Sequence, residues 1–410
     1  MARAFSRLWG ELVETLTARG GGLGFFFRVA GYMAALFATF IGYGMIQPLL
    51  ALHTSGFVGT SYLLVGVLIS TIGLVKAGLG PVSGFLSDVH GRKRLATVGA
   101  ATIAVSLAVV YLSSSVAVLV VGFVLYGAGQ AMFFLAMMTA MVEAAGPERR
   151  ALAMGLYEGG NGFAIMIGSA ASSVLVNVIG VAAVFGVASA FSAVAFVLSI
   201  VLVRETSAPT GPRGPVLDVA GLRGIIGPKY LVAMYTAFLF MYSQNVFSSI
   251  IPLYTTQTSL LSIEELALLF VAFAGATSLG SFLAGPVSDR VGRRLPIAVG
   301  MGFTSLSFIG LFASASPVAL VASSLALGFG TGFFHPVASA LVADVSTPEN
   351  RGKAFGFYRL MRDLGTFAGP AVAGIVSALL GVGSLFILNA GLALLGCFLA
   401  IVIVKETLRK

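Results

Sequence analysis

Five ionisable side chains lie within otherwise apolar stretches of the sequence: Lys76, Glu158, Arg359, Arg362 and Asp363. Charged groups in apolar surroundings are unfavourable to bury, and they usually face a partner or a water-filled cavity. In such a place they can pair with one another, bind a charged solute or exchange a proton. These residues are therefore the first candidates for a functional site.

The sequence offers little support for enzymatic chemistry. The three histidines, His53, His90 and His335, are far apart, and neither HExxH nor GxSxG is present. No loop has the glycine spacing that holds a nucleotide phosphate. We therefore expect no enzyme, no metal site and no cofactor. The single cysteine, Cys397, excludes an internal disulfide.

The apolar stretches are long enough to cross a lipid bilayer. Hydrophobic residues make up 58% of the chain and charged residues 10%, whereas soluble domains carry about 25% charged residues. The sequence therefore predicts an all-α integral membrane protein with twelve transmembrane helices, each of about 20 residues or more. The predicted helices span residues 27–52, 60–86, 95–113, 117–143, 152–176, 181–204, 230–255, 263–287, 295–313, 317–343, 353–378 and 383–404.

The net charge of +9 is distributed over loops and not over a soluble domain. Basic clusters lie at residues 92–94, 149–150 and 290–294, and the intervening loops HTSGFVGT, SSSVA and ASASP contain no Lys or Arg. Because Lys and Arg collect in cytoplasmic loops, we expect a multi-pass protein of the cell membrane with both termini in the cytoplasm. The basic balance then requires no nucleic-acid partner.

The two halves of the chain repeat each other. GFLSDVHGRKR at residues 84–94 returns as GPVSDRVGRRL at residues 285–295, and 285 − 84 gives an offset of 201 residues. The offset continues without a gap to Glu205 and Glu406, and the matching residues are mostly Gly, Pro and charged. We therefore predict two six-helix bundles related by a pseudo-two-fold axis along the membrane normal, an architecture found among secondary transporters.

The repeat also predicts the domain organisation. The first bundle comprises residues 1–206, including a short N-terminal helix on the membrane surface, and the second comprises residues 230–410. Residues 207–229 are rich in Pro and Gly and predict a cytoplasmic linker with a short surface helix.

The repeated phrase has a physical basis in both halves. Glycine adopts a positive φ without strain, which suits a tight turn between two helices. Glycine one turn before the aspartate also permits close helix approach, and the aspartate can pair with the arginine four residues later. The residues of the phrase are Gly84, Asp88, Gly91, Arg92 and Lys93 in the first half, and Gly285, Asp289, Gly292, Arg293 and Arg294 in the second.

This pattern, GxxxDxxGR[RK], resembles the signature of the major facilitator superfamily, and the resemblance covers nearly the whole chain. It implies a transporter that moves a small organic solute by alternating access, without a cofactor. It also implies that the phrase latches the two bundles together on the cytoplasmic side in the outward-facing state. The first helix, GYGMIQPLLALH, is similar to that of twelve-helix drug efflux members.

Two departures bear on the coupling ion. Drug antiporters of the family usually carry an Arg in the fourth helix, where this chain has Phe123, and a Gly-Pro pair in the fifth, where it has Gly168 and Ser169. The Gly-Pro pair lies in the eleventh helix at residues 369–370. Efflux is thus the leading hypothesis, and coupling to protons remains open.

Lys76 and Asp363 lie at similar depths in the membrane. Lys76 is 12 residues before Asp88, and Asp363 is 11 residues after Gly352, which corresponds to roughly 18 Å and 16 Å along a helix. In the fold that the resemblance implies, the second and eleventh helices are neighbours, so we predict a contact between the two side chains that acts as a gate. The alternative is that Lys76 binds an anionic group of the substrate.

Other polar residues complete the candidate cavity. Glu158 is the first candidate for protonation and Asp363 the second, although Glu158, Arg359 and Arg362 could equally reach the cytoplasmic interface. His335 is either a titrating group or a hydrogen-bonded packing residue. The remaining candidates are the uncharged residues Gln130, Asn161, Gln244 and Asn245.

These observations favour a membrane transporter that expels a lipophilic compound, with protons as a candidate coupling ion. Uptake or exchange of an organic anion is the alternative within transport, and a non-transporting receptor or scaffold is the alternative outside it. The expected partners are a small-molecule substrate and the lipid bilayer, and we expect a monomer.

Overall fold

The computed structural model describes residues 22–146, 149–206, 226–314, 316–347 and 350–404, and within these ranges the chain is helical with no β-strand. The predicted surface helices of the N-terminus and the linker lie outside the described residues. The helices are α1 Gly22–Ile46, α2 Leu50–Val58, α3 Tyr62–His90, α4 Arg92–Tyr111, α5 Val116–Ala145, α6 Arg150–Val201, α7 Pro228–Gln257, α8 Ile263–Val291, α9 Arg294–Ala313, α10 Pro317–Val345, α11 Arg351–Leu380 and α12 Val382–Ile403.

One of the predicted helices, the first, has a break that was not predicted from the sequence. The first crossing, predicted as one helix over 27–52, consists of α1 and α2 with a break at residues 47–49. Pro48 lies in that break, and proline has no N–H with which to continue a helical hydrogen-bond pattern. The fifth and sixth crossings meet at Gly180, whose φ of 80° is not helical, and this turn lies where the sequence predicted the gap between them.

The helices account for the twelve predicted crossings. Within the described part of the chain, ten helices are long and apolar enough to span a bilayer. Among these, α6 has 52 residues, which at about 1.5 Å per residue is more than twice the thickness of a bilayer core. The remaining crossing is α7, whose Tyr, Ser, Thr, Gln and Asn side chains make it less apolar than its neighbours. A helix of this composition suits the interior of a bundle.

Four capping serines extend the internal repeat. The side chains of Ser61, Ser115, Ser262 and Ser316 each accept a hydrogen bond from the backbone N–H three residues later, at the starts of α3, α5, α8 and α10. The offset again holds, because 262 − 61 and 316 − 115 both give 201. The duplicated sequence therefore specifies where corresponding helices begin as well as where they turn.

Each half of the chain encloses its own hydrophobic core. The core of the N-terminal half contains Phe123, Phe133 and Phe185, and that of the C-terminal half contains Phe270 and Phe308, all fully buried. Large apolar side chains are also exposed over the outside of both halves. Such an extended apolar exterior is stable only in contact with lipid. The structure is thus two packed bundles with a lipid-facing surface.

The two faces of the molecule are defined here by the loops that they carry. The motif face carries the corners at Gly91 and Gly292, and the opposite face carries the capping serines. On the opposite face the halves are in contact: the Tyr62 hydroxyl donates to Gln257 Oε1 at 2.6 Å, and Gln257 Nε2 donates to the Thr60 carbonyl at 3.0 Å. A third hydrogen bond joins α6 and α8, where the amide of Asn177 donates to Glu264.

Glycines bring α3 and α11 together towards the opposite face. A Cβ atom added to Gly66 would lie 2.8 Å from the Cα of Gly374, and one added to Gly73 would lie 2.5 Å from the carbonyl carbon of Thr366. Real Cβ atoms do not approach other atoms so closely. The close approach of the two backbones therefore requires glycine at these positions.

Towards the motif face the halves are apart. A Cβ atom added to Gly155, Gly285, Gly352 or Gly356 would meet no atom within 4 Å. The predicted close helix approach at Gly285 is therefore wrong for this conformation, and at Gly84 the nearest atom, Leu135 Cδ2, is at an ordinary 3.6 Å. The molecule is closed on the opposite face and open on the motif face.

Candidate functional site

A cavity of about 150 Å³ lies between the two halves. Its wall contains every polar residue that the sequence predicted for the site. They are Lys76, Gln130, Glu158, Asn161, Gln244, Asn245, His335, Arg359, Arg362 and Asp363. They come from α3, α5, α6, α7, α10 and α11, so that both halves contribute.

A larger cavity of about 610 Å³ continues from this one towards the motif face. Both cavities are lined by Glu158, His335, Arg359 and Arg362. The larger one extends to Gly352, next to the first residue of α11. The inner cavity is therefore reached from the motif face past these four side chains.

Lys76 and Asp363 form an ion pair across the two halves. Lys76 Nζ lies 3.3 Å from Asp363 Oδ1, and the side chains are 13% and 8% exposed. Arg359 Nε lies 3.9 Å from the other carboxylate oxygen. The predicted contact between Lys76 and Asp363 is thus present, and its role as a gate remains a prediction.

Arg362 and Glu158 face each other across the same space, with Arg362 Nη1 3.8 Å from Glu158 Oε1. The guanidinium group of Arg362 also lies over the ring of Phe240, 5.4 Å from its centroid. In this conformation the arginine and the glutamate therefore line the cavity with only partly exposed side chains, at 22% and 26%. The sequence left open whether these side chains line the cavity or extend to the cytoplasmic interface. In this structure they line the cavity.

Three buried polar atoms in the cavity wall have no hydrogen-bond partner among the described residues: Asn161 Oδ1, His335 Nε2 and Arg359 Nε. The His335 ring packs on Phe240 with centroids 3.8 Å apart. The expectation that His335 is a hydrogen-bonded packing residue is therefore wrong for its Nε2 atom. By contrast, Asn245 donates to the Met241 carbonyl at 2.8 Å within its own helix.

The cavity wall also contains residues that sequence reasoning missed. Tyr43 comes from α1, Gln47 lies in the break between α1 and α2, and Thr277, Ser278 and Ser281 come from α8. Their signal was weak because hydroxyl groups are common in membrane helices, where they bond to the backbone of the preceding turn. Gln47 was the more readable of these residues, since it is an amide in an otherwise apolar stretch of the sequence and next to Pro48.

Aromatic rings form an apolar part of the wall. Phe40 of α1 stacks on Phe134 of α5 with centroids 4.7 Å apart, and Tyr157 of α6 packs edge-on against Phe40 at 6.0 Å. All three line the cavity and belong to the N-terminal half. The C-terminal half contributes Phe240 and Phe273.

The two departures from the antiporter pattern have structural explanations. Phe123 is 1% exposed and packs in the core of the N-terminal half. The Ser169 hydroxyl donates to the Gly44 carbonyl at 3.0 Å, and a Cβ atom on Gly168 would lie 2.9 Å from the Met45 nitrogen. Gly168 and Ser169 therefore hold α6 close to α1 without a proline.

The motif corner of the N-terminal half is a network of charged groups. Arg92 pairs with Asp88, as predicted, and its Nη2 atom lies 3.3 Å from Glu143 Oε1. Glu205 accepts hydrogen bonds from the backbone N–H groups of Arg92 at 2.7 Å and Lys93 at 3.2 Å. A carboxylate in this position stabilises the N-terminus of α4.

The C-terminal half repeats the network. Arg293 Nη1 lies 3.1 Å from Asp289 Oδ1, and Arg293 Nε lies 3.0 Å from Asp344 Oδ2. Gly91 and Gly292 have φ of 95° and 84°, as the turn prediction requires. Among the described residues, the ion-pair partners of Asp88 and Asp289 lie within their own half, so the latch between halves remains a prediction.

The described residues contain no group of three or more His, Cys, Asp or Glu side chains that could hold a metal ion. The residues of the cavity wall offer ion pairing, hydrogen bonding and aromatic contact.

The model of the Major Facilitator Superfamily matches this chain over residues 32–260 and 233–410. The chain belongs to the major facilitator superfamily. It is thus a multi-pass membrane transporter, and the two repeated bundles around a central cavity are the fold of that superfamily.

Relatives within the superfamily align over most of the chain. The multi-drug resistance efflux pump PmrA homolog of Lactococcus lactis is 25% identical over 385 residues, which cover 88% of this chain and 94% of that protein. The multidrug resistance protein MdtG of Klebsiella pneumoniae is 24% identical over 371 residues, covering 87% and 89%. The crystal structure of the human organic anion transporter MFSD10 has the same fold, with a TM-score of 0.70, 18% identity and coverage of 92% of this chain and 99% of that one.

Proposed function

We propose that this chain exports a small amphipathic organic solute from the cytoplasm by alternating access. The observation that supports this best is the central cavity, which both repeated halves line and which is closed on the opposite face and open on the motif face. A rocking motion of the halves would close the motif face and expose the same site to the other side.

The orientation in the membrane follows from the positions of the basic residues. Arg92, Lys93, Arg293 and Arg294 lie at the motif face, and Lys and Arg collect on the cytoplasmic side of a membrane. The motif face is then cytoplasmic, both termini lie on that side, and the described conformation is ready to receive a solute from the cytoplasm.

The direction and the substrate class are supported by the relatives and by the cavity. The relatives with 24–25% identity over most of the chain are named as multidrug efflux proteins. The cavity combines aromatic surfaces, such as the stacked rings of Phe40 and Phe134, with charged groups. A solute that has an apolar body and a polar end would satisfy both parts of such a wall.

Two carboxylates offer a route for coupling to protons. Glu158 faces Arg362 at 3.8 Å and Asp363 contacts Lys76 at 3.3 Å. Protonation of either carboxylate would remove the negative charge that faces its cation. The proposal assigns this role first to Glu158, which also lines the cavity that opens to the motif face.

Uptake or exchange of an organic anion is the second candidate function. Among the ionisable groups of the inner cavity wall, Lys76, Arg359 and Arg362 are basic and Glu158 and Asp363 are acidic. The resulting positive excess favours a solute with negative charge.

Flux into liposomes tests the proposed function. Purified protein would be reconstituted and tested with lipophilic cations and organic anions, with and without an imposed pH gradient. We expect protein-dependent movement of at least one class, accelerated by the gradient. Absence of flux for all solutes, when the protein is folded and inserted, would overturn the proposal, and flux that ignores the gradient would remove only its proton-coupling part.

A further inference from the structure

We propose that Arg359, Arg362 and His335 form an anion-binding subsite that receives the carboxylate or sulfonate group of an amphipathic aromatic substrate. This inference rests on the proposed transport function and specifies which solutes the cavity takes and where their charge is bound. It differs from the prediction that made Lys76 the anion ligand.

The two arginines have guanidinium donors that the protein leaves largely unused. Arg362 approaches a carboxylate only at 3.8 Å and Arg359 only at 3.9 Å, which is too far for a hydrogen bond. Within the described residues neither guanidinium group has a hydrogen bond to an oxygen atom, and the nearest other acceptor is the sulfur of Met138, 4.0 Å from Arg359. Each guanidinium group carries five N–H donors in a plane that matches a carboxylate or a sulfonate.

The arginines also lie close to each other. Residues three apart on a helix are neighbours on its surface, and two like charges at this spacing repel. Both side chains are only 22% exposed, so water screens the repulsion incompletely. A bound anion between them would remove the repulsion and supply the missing acceptors.

Lys76 is less available for the same task. Its amino group already contacts Asp363 at 3.3 Å, and it is 13% exposed. An anion at Lys76 would have to displace a buried carboxylate and leave that carboxylate without its closest cation. An anion at the two arginines displaces no hydrogen-bonded group.

His335 gives a second, independent indication of a ligand. Its side chain lines both cavities, the residue is 5% exposed, and its Nε2 atom has no partner in the described part of the chain. The His335 ring and the Arg362 guanidinium group both lie against Phe240, at 3.8 Å and 5.4 Å from its centroid. A buried polar atom without a partner is unfavourable, and an anionic ligand beside Arg362 would provide one when Nε2 carries a proton.

The remaining wall fits the apolar part of such a substrate. Phe40, Phe134 and Tyr157 lie on the N-terminal half, whereas the three residues of the subsite lie on α10 and α11 of the C-terminal half. A substrate with an aromatic body and one anionic group would therefore contact both halves. Aromatic rings favour stacked or edge-on contact with such a body.

Binding of a matched pair of probes tests the subsite. The probes are 2-naphthalenesulfonate and the 2-naphthyltrimethylammonium cation, which share the ring and differ in the sign of the charge. Equilibrium dialysis with the full chain in lipid nanodiscs would give Kd for the wild type, Lys76→Gln and the double variant Arg359→Gln/Arg362→Gln. Arg290→Gln is the control, because it removes one positive charge at the exposed end of α8, outside the cavity.

We expect the wild type to prefer the sulfonate. The double variant should weaken sulfonate binding by about tenfold or more, as expected for loss of charge-assisted hydrogen bonds, and by clearly more than Lys76→Gln. Arg290→Gln should bind as the wild type does. A double variant with Arg359→Lys/Arg362→Lys keeps the charge but not the planar donors, and should recover part of the affinity. Elution volume and thermal stability identify variants that do not fold.

Equal binding of both probes would overturn the subsite, and so would a larger loss for Lys76→Gln than for the arginine double variant. Transport assays separate this failure from failure of the proposed function. If the sulfonate bound at the arginines while no tested solute crossed a liposome membrane, the transport proposal would be refuted and the subsite would remain intact. Transport of the sulfonate that survives the arginine substitutions would support transport and refute the subsite.

Discussion

Lys76 Nζ and Asp363 Oδ1 lie 3.3 Å apart and join the N-terminal half of this transporter to its C-terminal half. The two residues lie on α3 and α11, whose backbones are also in close contact through Gly66 and Gly374. Any motion that separates these helices therefore has to break a buried ion pair.

Removal of one partner of this pair should be more harmful than removal of both. Lys76→Ala leaves a buried carboxylate without its closest cation, an effect of about 3–5 kcal/mol, and Asp363→Ala leaves a buried amino group. The double variant leaves neither. We expect each single variant to lose most of its transport and thermal stability and the double variant to recover part of the stability. Near-additive losses would show that the residues act separately.

The glycine contacts on the opposite face predict a conformational effect. Gly73→Ala would place a Cβ atom 2.5 Å from the Thr366 carbonyl carbon. A Cβ atom added to Gly78, on the same helix, would meet no atom within 4 Å. We expect Gly73→Ala to push α3 and α11 apart and to lower transport severalfold. Accessibility of a cysteine at position 60 or 257 to a membrane-impermeant thiol reagent, in a Cys397→Ser background, would rise.

Gly78→Ala is the matched control for this substitution, because it adds the same methyl group to the same helix. Its transport and cysteine accessibility should equal those of the parent. If both alanine variants behaved alike, the contact at Gly73 would have no special role in closing the opposite face.

Glu158 provides the sharpest test of proton coupling. If the coupled proton binds here, Glu158→Gln mimics the protonated state at every pH. The variant should then exchange labelled for unlabelled substrate across the membrane but should no longer accumulate substrate in response to a pH gradient. Asp363→Asn is the comparison, since it neutralises the other carboxylate of the cavity. Gradient-driven accumulation by Glu158→Gln at the wild-type level would exclude Glu158 as the coupling site.

Glu205 is predicted to stabilise the N-terminal half from outside the membrane core. Its carboxylate accepts hydrogen bonds from two backbone N–H groups at the start of α4, the shorter being 2.7 Å. Loss of such a cap costs about 1 kcal/mol, so Glu205→Ala should lower the thermal midpoint by a few degrees. Glu205→Gln keeps one acceptor oxygen without the charge, so its thermal midpoint should lie between those of the wild type and Glu205→Ala. A capping role would be contradicted if the thermal midpoint did not decrease from the wild type through Glu205→Gln to Glu205→Ala.

Much of this architecture could be read from the sequence alone. The helices are predictable because transfer of apolar side chains into lipid and the need for internal backbone hydrogen bonds are local constraints. The duplication was visible because turn glycines and corner charges, such as Asp88 and Asp289, recur at one offset. For the same reason all ten polar candidates line the cavity, since polar groups in membrane helices avoid lipid.

Only the tertiary structure decided which of the polar side chains contact each other and which keep donors directed at the cavity. From the sequence, Lys76 was the candidate ligand for an anion, but the fold places Asp363 against Lys76 and leaves the guanidinium donors of Arg359 and Arg362 facing the cavity. It also decided that the halves touch on the opposite face and separate on the motif face. Such contacts depend on the relative position of two helix bundles far apart in sequence, and no local preference for helix, turn or lipid carries that information.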